Sequence, residues 1–452
     1  MNKSIIIKNI LFAVFLFSFK TDAQVWVYPG ASESLKSNKY FVRIFQGDEI
    51  YESFVYSSKN NNTQSNGQLT DYNHWTTFSF NNEITVEITK LFGDPIRYCI
   101  LRPKELRIKP EVNGYVAKIK ITRPCKILME INEAETEPVF IFADPPELNI
   151  PDRNNPKVLW FEPGEHSIGK DYSVVDIDEI YMEGGSYVSG SFISNSDKPL
   201  RISGRGILSG KNIETDNTNN RLVQLSNIAK NNRIEGITLT DMPGFGIYSI
   251  SEFTADNVKL LGWSNTSKGI LAGDSALIRN CFFKVDDDII TFNHSDIFVE
   301  KCVIWQQVNG APFQFTQNRQ REINNCIIKD IDIIRIDLYE DSIWNSDKTI
   351  INCKEMNQGT VNNILFEDIR VEGNAHRLIG INTGTGGIFK NLAIRDVNIE
   401  GIIEQENYLS AEKGYITGIT FDNLVINYMV VNNNNDANIV TRGNISNIVY
   451  KE

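Results

Sequence analysis

From about Val158 the chain repeats one short module, roughly polar-Asn-apolar, and this repeat constrains the fold more than any other feature. Its instances are Glu235-Gly236-Ile237, Asp256-Asn257-Val258, Arg279-Asn280-Cys281, Glu300-Lys301-Cys302 and Asn324-Asn325-Cys326. It continues with Glu367-Asp368-Ile369, Lys390-Asn391-Leu392, Asp422-Asn423-Leu424 and Ser446-Asn447-Ile448. The third positions are separated by 21, 23, 21, 24, 43, 23, 32 and 24 residues. We read the 43 as close to two coils and the 32 as one coil with an inserted loop. A period of twenty-odd residues, with short strands and no helical periodicity, is what a right-handed parallel β-helix requires. Leucine-rich repeats share the period but need a recurring Leu pattern that is missing here. Cys281, Cys302 and Cys326 hold the same repeat position, which predicts an interior column of small buried thiols. Six cysteines in an exported chain would suit disulfides. A regular stack seldom offers the dihedral that a disulfide needs, so free thiols are the expectation.

Upstream the pattern differs. Residues 24–150 carry short strand-like runs at 40–45, 75–80, 84–88 and 126–131, and Ile84-Thr85-Val86-Glu87-Ile88 alternates apolar with polar as a half-buried antiparallel strand does. A proline-rich stretch follows (Pro138, Pro145, Pro146, Pro151, Pro156), and proline cannot donate to a central ladder. The chain therefore reads as all-β, a β-sandwich over 24–150 followed by a β-helix over 151–452. Residues 1–23 read as a signal peptide: Lys3 and Lys8, an apolar stretch over 10–19, then Thr21-Asp22-Ala23 before a cut at Gln24. That stretch is short for a bilayer span, so an uncleaved anchor is the weaker alternative. A secreted or periplasmic protein is expected. Cleavage removes Lys3, Lys8, Lys20 and Asp22 and takes the net charge from −12 to −14. Such a surface argues against nucleic-acid or anionic-membrane partners, though not against a local basic pocket. A monomer or small homo-oligomer is expected, without stable membrane insertion.

The chemistry points to carboxylates. The four histidines (His74, His166, His294, His376) show no metal-ligand spacing, and no nucleophile elbow, phosphate loop or dinucleotide fingerprint occurs. No metal and no cofactor is expected. The notable cluster is Asp286-Asp287-Asp288. Crowded carboxylates raise at least one pKa and leave another ionised, which is the split that glycoside hydrolysis needs between general acid and general base. A solvated turn or a cation site is the plainer alternative. Trp263 and Asn265 lie about one coil upstream, and Trp305, Gln306 and Asn309 about one coil downstream. Coil stacking would set them beside the triplet, where indole faces suit sugar rings and amides suit hydroxyls. Core packing is the other reading of each tryptophan.

Three segments together resemble glycoside hydrolase family 49, the dextranase and isopullulanase group within the polygalacturonase-like β-helix enzymes. They are Trp160-Phe161-Glu162-Pro163-Gly164 with Gly184 to Gly190, then Ile202-Ser203-Gly204-Arg205-Gly206-Ile207-Leu208-Ser209-Gly210, then the triplet with Trp305. The glycine segments are shared with other β-helix enzymes, and the triplet with its flanks is more specific. The resemblance implies an N-terminal sandwich, with Asp287 as general acid, Asp288 as the base that activates water, and inversion at the anomeric carbon. The family also uses an Asp in an Asp-Gly pair 19 residues before the acid; here that pair is Lys268-Gly269. Asp274 is a weak substitute.

Lys268 has four readings. It binds an anionic substituent on the sugar; it abolishes hydrolysis and leaves a glycan binder; it acts as the base of a lyase whose Asp286–Asp288 cluster holds Ca²⁺; or it is an exposed charge without a role. Beside Asp287 it would favour the charged carboxylate. Arg319, Arg321 and Arg335 are further weak candidates for clamping an anion. The expected activity is inverting hydrolysis of a polysaccharide, with a Ca²⁺-dependent lyase or a non-catalytic binder as alternatives. Adjacent strand residues face opposite ways, so Asp287 and Asp288 can share a groove only if the backbone bends between them.

Overall fold

The computed structural model describes residues 24–59, 72–132, 137–213, 220–315, 322–337 and 348–451. The proposed signal at 1–23, the Asn60–Asn62 run, and Arg319 and Arg321 lie outside these residues. The N-terminal part is a sandwich of two sheets. One holds Tyr40–Gln46, Glu49–Ser53, Ile84–Lys90, Glu111–Asn113 and Val116–Ile121, all antiparallel. The other holds Gln24–Val27, Val55–Lys59, Tyr72–Asn81, Cys99–Arg102, Cys125–Ile131 and Val139–Asp144. Val42, Ile44, Val86 and Ile88 from the first sheet meet Phe78, Ile127 and Ile141 from the second in one core. The last sandwich strand ends at Asp144 and the first solenoid strand begins at Val158, so the junction falls in the proline-rich stretch.

From Val158–Phe161 to Ile439–Lys451, twenty-six strands form stacked coils, nearly every one pairing with its equivalent in the next coil, two or three strands later in the sequence. Every pairing is parallel except the short Met429–Val430. Each coil turns a corner through a residue in the left-handed region. Asn257, Asn280, Lys301, Asp330, Asp368, Asp396 and Asn423 all have positive φ. Asn and Asp tolerate that conformation because their short polar side chains bond locally, and this is the physical origin of the repeating module. A second set of left-handed corners forms a ladder: Asn363 donates to Asn325 at 2.8 Å, and Asn325 donates to Asp296 at 3.0 Å.

There are two such corners per coil, five residues apart, and the sequence reading merged them. One column runs Ile237, Val258, Cys281, Cys302, Ile331, Ile369, Val397, Leu424. The other runs Ile297, Cys326, Ile364, Leu392, Ile419, Ile448. Cys326 therefore stacks against Ile364, not against Cys302, whose partner is Ile331. The 43-residue gap is one long coil plus a change of column, and the 32 is one ordinary coil plus the same change. All six thiols are free, but the predicted cysteine column shrinks to Cys281 and Cys302.

The sandwich lies against one face of the solenoid. Phe140 and Phe142 alternate with Ile141, so that one strand serves two cores. Both phenylalanines meet Phe282 edge-on, with ring centroids 5.3 and 5.2 Å apart, and Phe140 also meets Trp305. Asp144, fully buried, pairs with Lys259 and Arg205 across the boundary, while Arg102 bonds Glu372 at 2.5 Å and Lys104 bonds Glu400.

Candidate active site

The acidic triplet occupies a bend between the strands Phe282–Val285 and Ile290–Phe292. Strand register places it in a column along the solenoid axis. Phe245 pairs with Lys268, and Ile270 pairs with Ile290, Phe313, Ile351 and Ile379 in turn. In line with these, Phe245, Lys268, Asp288, Ala311, Thr349 and Arg377 follow one another, coil upon coil. Main-chain bonds lock the acidic coil to its neighbours: Asp287 N–H to Ser267 O, Gly269 N–H to Asp288 O, and Ile289 N–H to Ala311 O, each 2.9 Å. Two glycines permit this closeness. A Cβ on Gly269 would lie 2.1 Å from Ile289 O; one on Gly310, whose φ is +66°, would lie 2.4 Å from Asp288 N.

The bend brings Asp287 and Asp288 to the same side. Lys268 Nζ lies 3.0 Å from Asp287 Oδ2 and 3.4 Å from Asp288 Oδ2, and all three side chains are partly exposed. Asp287 Oδ1 accepts the Asp288 N–H at 2.8 Å, and Asp288 Oδ1 accepts the Ala311 N–H at 3.2 Å. Contacts of 3.0 and 3.4 Å to one nitrogen hold those two oxygens closer than the about 6.5–9.5 Å of a pair with water between them. The pair is thus closed on its lysine. Burial, and then the Asp287 charge, push Asp288 up to about 6 against the pull of Lys268. Burial acts to lower Lys268, but the carboxylates of Asp288 and Asp287 overcome it and raise the lysine above its ordinary value.

Asp286 stands apart from this pair. It is 1% exposed, and its Oδ1 accepts the Val308 N–H at 2.8 Å. Burial pushes it up to about 6. The three carboxylates therefore do not converge, and no cluster of three metal-ligating side chains occurs among the described residues.

Neither tryptophan faces the side of the carboxylate pair, contrary to expectation. Trp263 and Trp305 are 2% and 1% exposed, packed under the sandwich. Trp263 donates to Asp241 and meets Trp75 at a tilt, ring centroids 6.3 Å apart; Trp305 donates to Asp337, with Lys284 and Arg335 each 4.8 Å from its ring. Their side chains leave the coil on the face that the second domain covers. Arg335 belongs to the same contact, bonding Asp337 and Glu130. Asp274 is exposed on the turn beyond Ala272, at the far end of the strand from Lys268. Asn265 is exposed on the turn before Lys268, and Asn309 spends its Oδ1 on the Gly310 N–H. Gln306 is buried, and its amide nitrogen donates to the carbonyls of Asp286, Asp287 and Asn309.

The sequence reading missed Phe245, a half-buried ring 5.7 Å from Lys268 Nζ. Its glycine-flanked position one coil before Lys268 was the available signal. It also missed Lys348, Thr349, His376 and Arg377, which border a recess next to the pair.

No family model matches the chain. A dextranase of Arthrobacter globiformis is 25% identical over 272 residues, 51% of this chain and 42% of that protein. A dextranase of Arthrobacter sp. (strain CB-8) is 24% identical over the same length and shares. The matched stretch thus spans less than half of either relative. Among solved structures, Dex49A from Penicillium minioluteum superposes with a TM-score of 0.73 at 16% identity, covering 94% of this chain and 96% of that one. The chain is therefore dextranase-like in sequence and has the two-part β-sandwich and β-helix fold of Dex49A, as the resemblance to glycoside hydrolase family 49 implied.

Proposed function

We propose that this protein is an exported glycoside hydrolase that cleaves a polysaccharide with the carboxylates Asp287 and Asp288. The observation that carries the reading is the bend that turns both side chains, partly exposed, to one side and bonds them to a single ammonium. The likeness to two dextranases supports the reaction class. On this reading Asp287 protonates the leaving oxygen and Asp288 activates water in a single inverting displacement. Lys268 must then withdraw from the pair to admit that water, and an anionic substituent on the sugar is the natural partner to draw it away. Phe245 offers the ring face for a sugar that the buried tryptophans do not.

One observation favours a variant in which the roles within the pair are exchanged. In the free protein burial raises Asp288 to about 6, and the carboxyl that keeps its proton is the natural acid. The lyase alternative needs a deprotonated Lys268, whereas both neighbouring carboxylates hold it charged. It also needs Asp286 in the cation site, whereas that side chain is turned to the Val308 N–H.

The test is to incubate the protein with neutral dextran, a sulfated polysaccharide and a uronate polymer. The expected result is new reducing ends from at least one of them, without ultraviolet absorbance from unsaturated product, and with the anomer inverted by NMR. Release of reducing ends from none of the three would sink the proposal.

A further inference from the structure

Gln306 ends the strand Phe298–Gln306 and is 1% exposed. Ile304 belongs to the solenoid core and Trp305 lies under the sandwich, so by alternation Gln306 turns inward again. Its amide can be oriented only one way. The nitrogen faces three carbonyl oxygens, those of Asp286 at 3.2 Å, Asp287 at 3.3 Å and Asn309, so the oxygen must occupy the opposite end. That oxygen meets no hydrogen-bond partner among the described residues. A buried amide with an unmet oxygen is costly, so what the residue supplies at this place is its N–H groups.

The carbonyls it gathers belong to the two turns on which the carboxylate pair rests. In an extended strand successive carbonyls point to opposite edges. Those of Asp286 and Asp287 both reach one nitrogen, which is the bend as the main chain forms it. The peptide between Asp287 and Asp288 is planar and trans, so its carbonyl and its N–H point opposite ways. The carbonyl is held by Gln306, and the N–H donates to Asp287 Oδ1 at 2.8 Å. One coil on, the Asn309 carbonyl is held by Gln306, and the N–H of the same peptide, that of Gly310, donates to Asn309 Oδ1 at 2.8 Å. The next N–H, of Ala311, meets Asp288 Oδ1 at 3.2 Å. One buried amide thus lies behind a hydrogen bond to each carboxylate.

We propose that Gln306 is a positioning residue, whose side-chain N–H groups fix the peptide planes that hold Asp287 and Asp288 on one side. It acts through the main chain and, being buried, touches no substrate. This inference rests on the reading of Asp287 and Asp288 as the glycosidic centre.

Gln306→Met keeps an unbranched side chain of similar length and removes the donors. Gln306→Glu keeps the shape and restores one donor only while its carboxyl is protonated. On the polysaccharide that wild type cleaves, Gln306→Met should lower kcat by about 10- to 100-fold, the cost of a misplacement of roughly 1 Å, with KM within about 2-fold of wild type. Relative to wild type at the same pH, Gln306→Glu should keep more of the rate than Gln306→Met at low pH and lose that advantage as its carboxyl ionises. A lowered Tm in Gln306→Met, with the kcat of the folded molecules unchanged, marks a merely structural amide and overturns the inference. So does a Gln306→Glu rate no better than that of Gln306→Met at every pH.

If wild type cleaves nothing, the hydrolase reading fails, and hydrogen–deuterium exchange tests the positioning separately. Mass spectrometry of the peptide spanning the acidic bend should show exchange about 10-fold faster in Gln306→Met than in wild type, the effect of buried acceptors left unmet. The flanking strands Phe282–Val285 and Ile290–Phe292 should exchange as slowly as before. Equal exchange at the bend in the two proteins overturns the inference, as does an increase that runs through both flanking strands.

Discussion

Two faces of the same coils can be compared directly. Under the sandwich, Leu261, Lys284 and Trp305 stack in register, and with Trp263 and Phe282 they make a patch of aromatics and a charge beneath Phe140 and Phe142. A few residues along each coil, Phe245, Lys268 and Asp288 form another row of an aromatic and charges, partly exposed. The side-chain types are alike and the repeat is the same. The burial differs, and with it the work. Lys284 is fully buried and burial pushes it down to about 8, whereas two carboxylates raise Lys268. A charge sealed against a second domain is a matter of stability, and a charge with a path to solvent is available for chemistry.

The largest expected effect is on the open face. Asp287→Asn should lower kcat by about 10²- to 10⁴-fold, as loss of an acid–base group does. Calorimetry should find its Tm close to wild type. A variant that keeps its rate would remove the carboxylate pair from the comparison.

On the covered face the expected outcome is reversed. Trp305→Ala should destabilise by about 3–5 kcal/mol through the cavity it leaves and the loosened contact with Phe140. Urea denaturation measures this, and the turnover of the molecules that remain folded should stay near wild type. If that turnover instead falls as far as in Asp287→Asn, the two faces are not separable.

A smaller effect concerns pH. Lys268 pulls Asp288 down against burial and the Asp287 charge. Lys268→Gln removes that pull, so Asp288 rises further and stays protonated to higher pH. With Asp288 as base, the acid limb of the kcat/KM profile moves to higher pH; with exchanged roles, the alkaline limb moves up instead. A profile unchanged on both limbs would separate the lysine from the chemistry.

The smallest is thermodynamic. Asp286 has a folded value of about 6 against an ordinary 3.8. The stability it contributes when protonated is complete below about 3.8 and is lost as the pH rises through about 6. Asp286→Asn should therefore be the more stable protein near pH 7.5, by up to roughly 2–3 kcal/mol, and no more stable near pH 3.5. A stabilisation that is the same at both pH values would mean that ionisation of Asp286 is not its cause.

The solenoid, the sandwich before it, the acidic corner and the lysine in the place of an aspartate were legible in the sequence alone. Each is a local signal. A left-handed corner selects Asn or Asp within three residues, a half-buried strand alternates, and three carboxylates in succession crowd one another wherever they lie. The column to which Cys326 belongs, the burial of Trp263 and Trp305, and the place of Phe245 and Thr349 in the column of Asp288 were decided only in three dimensions. They depend on coil lengths that vary and on which outer face the second domain covers, and short segments carry no record of either: Cys326 finds its partner Ile364 a whole coil away, and Trp305 meets Phe140 from the other domain.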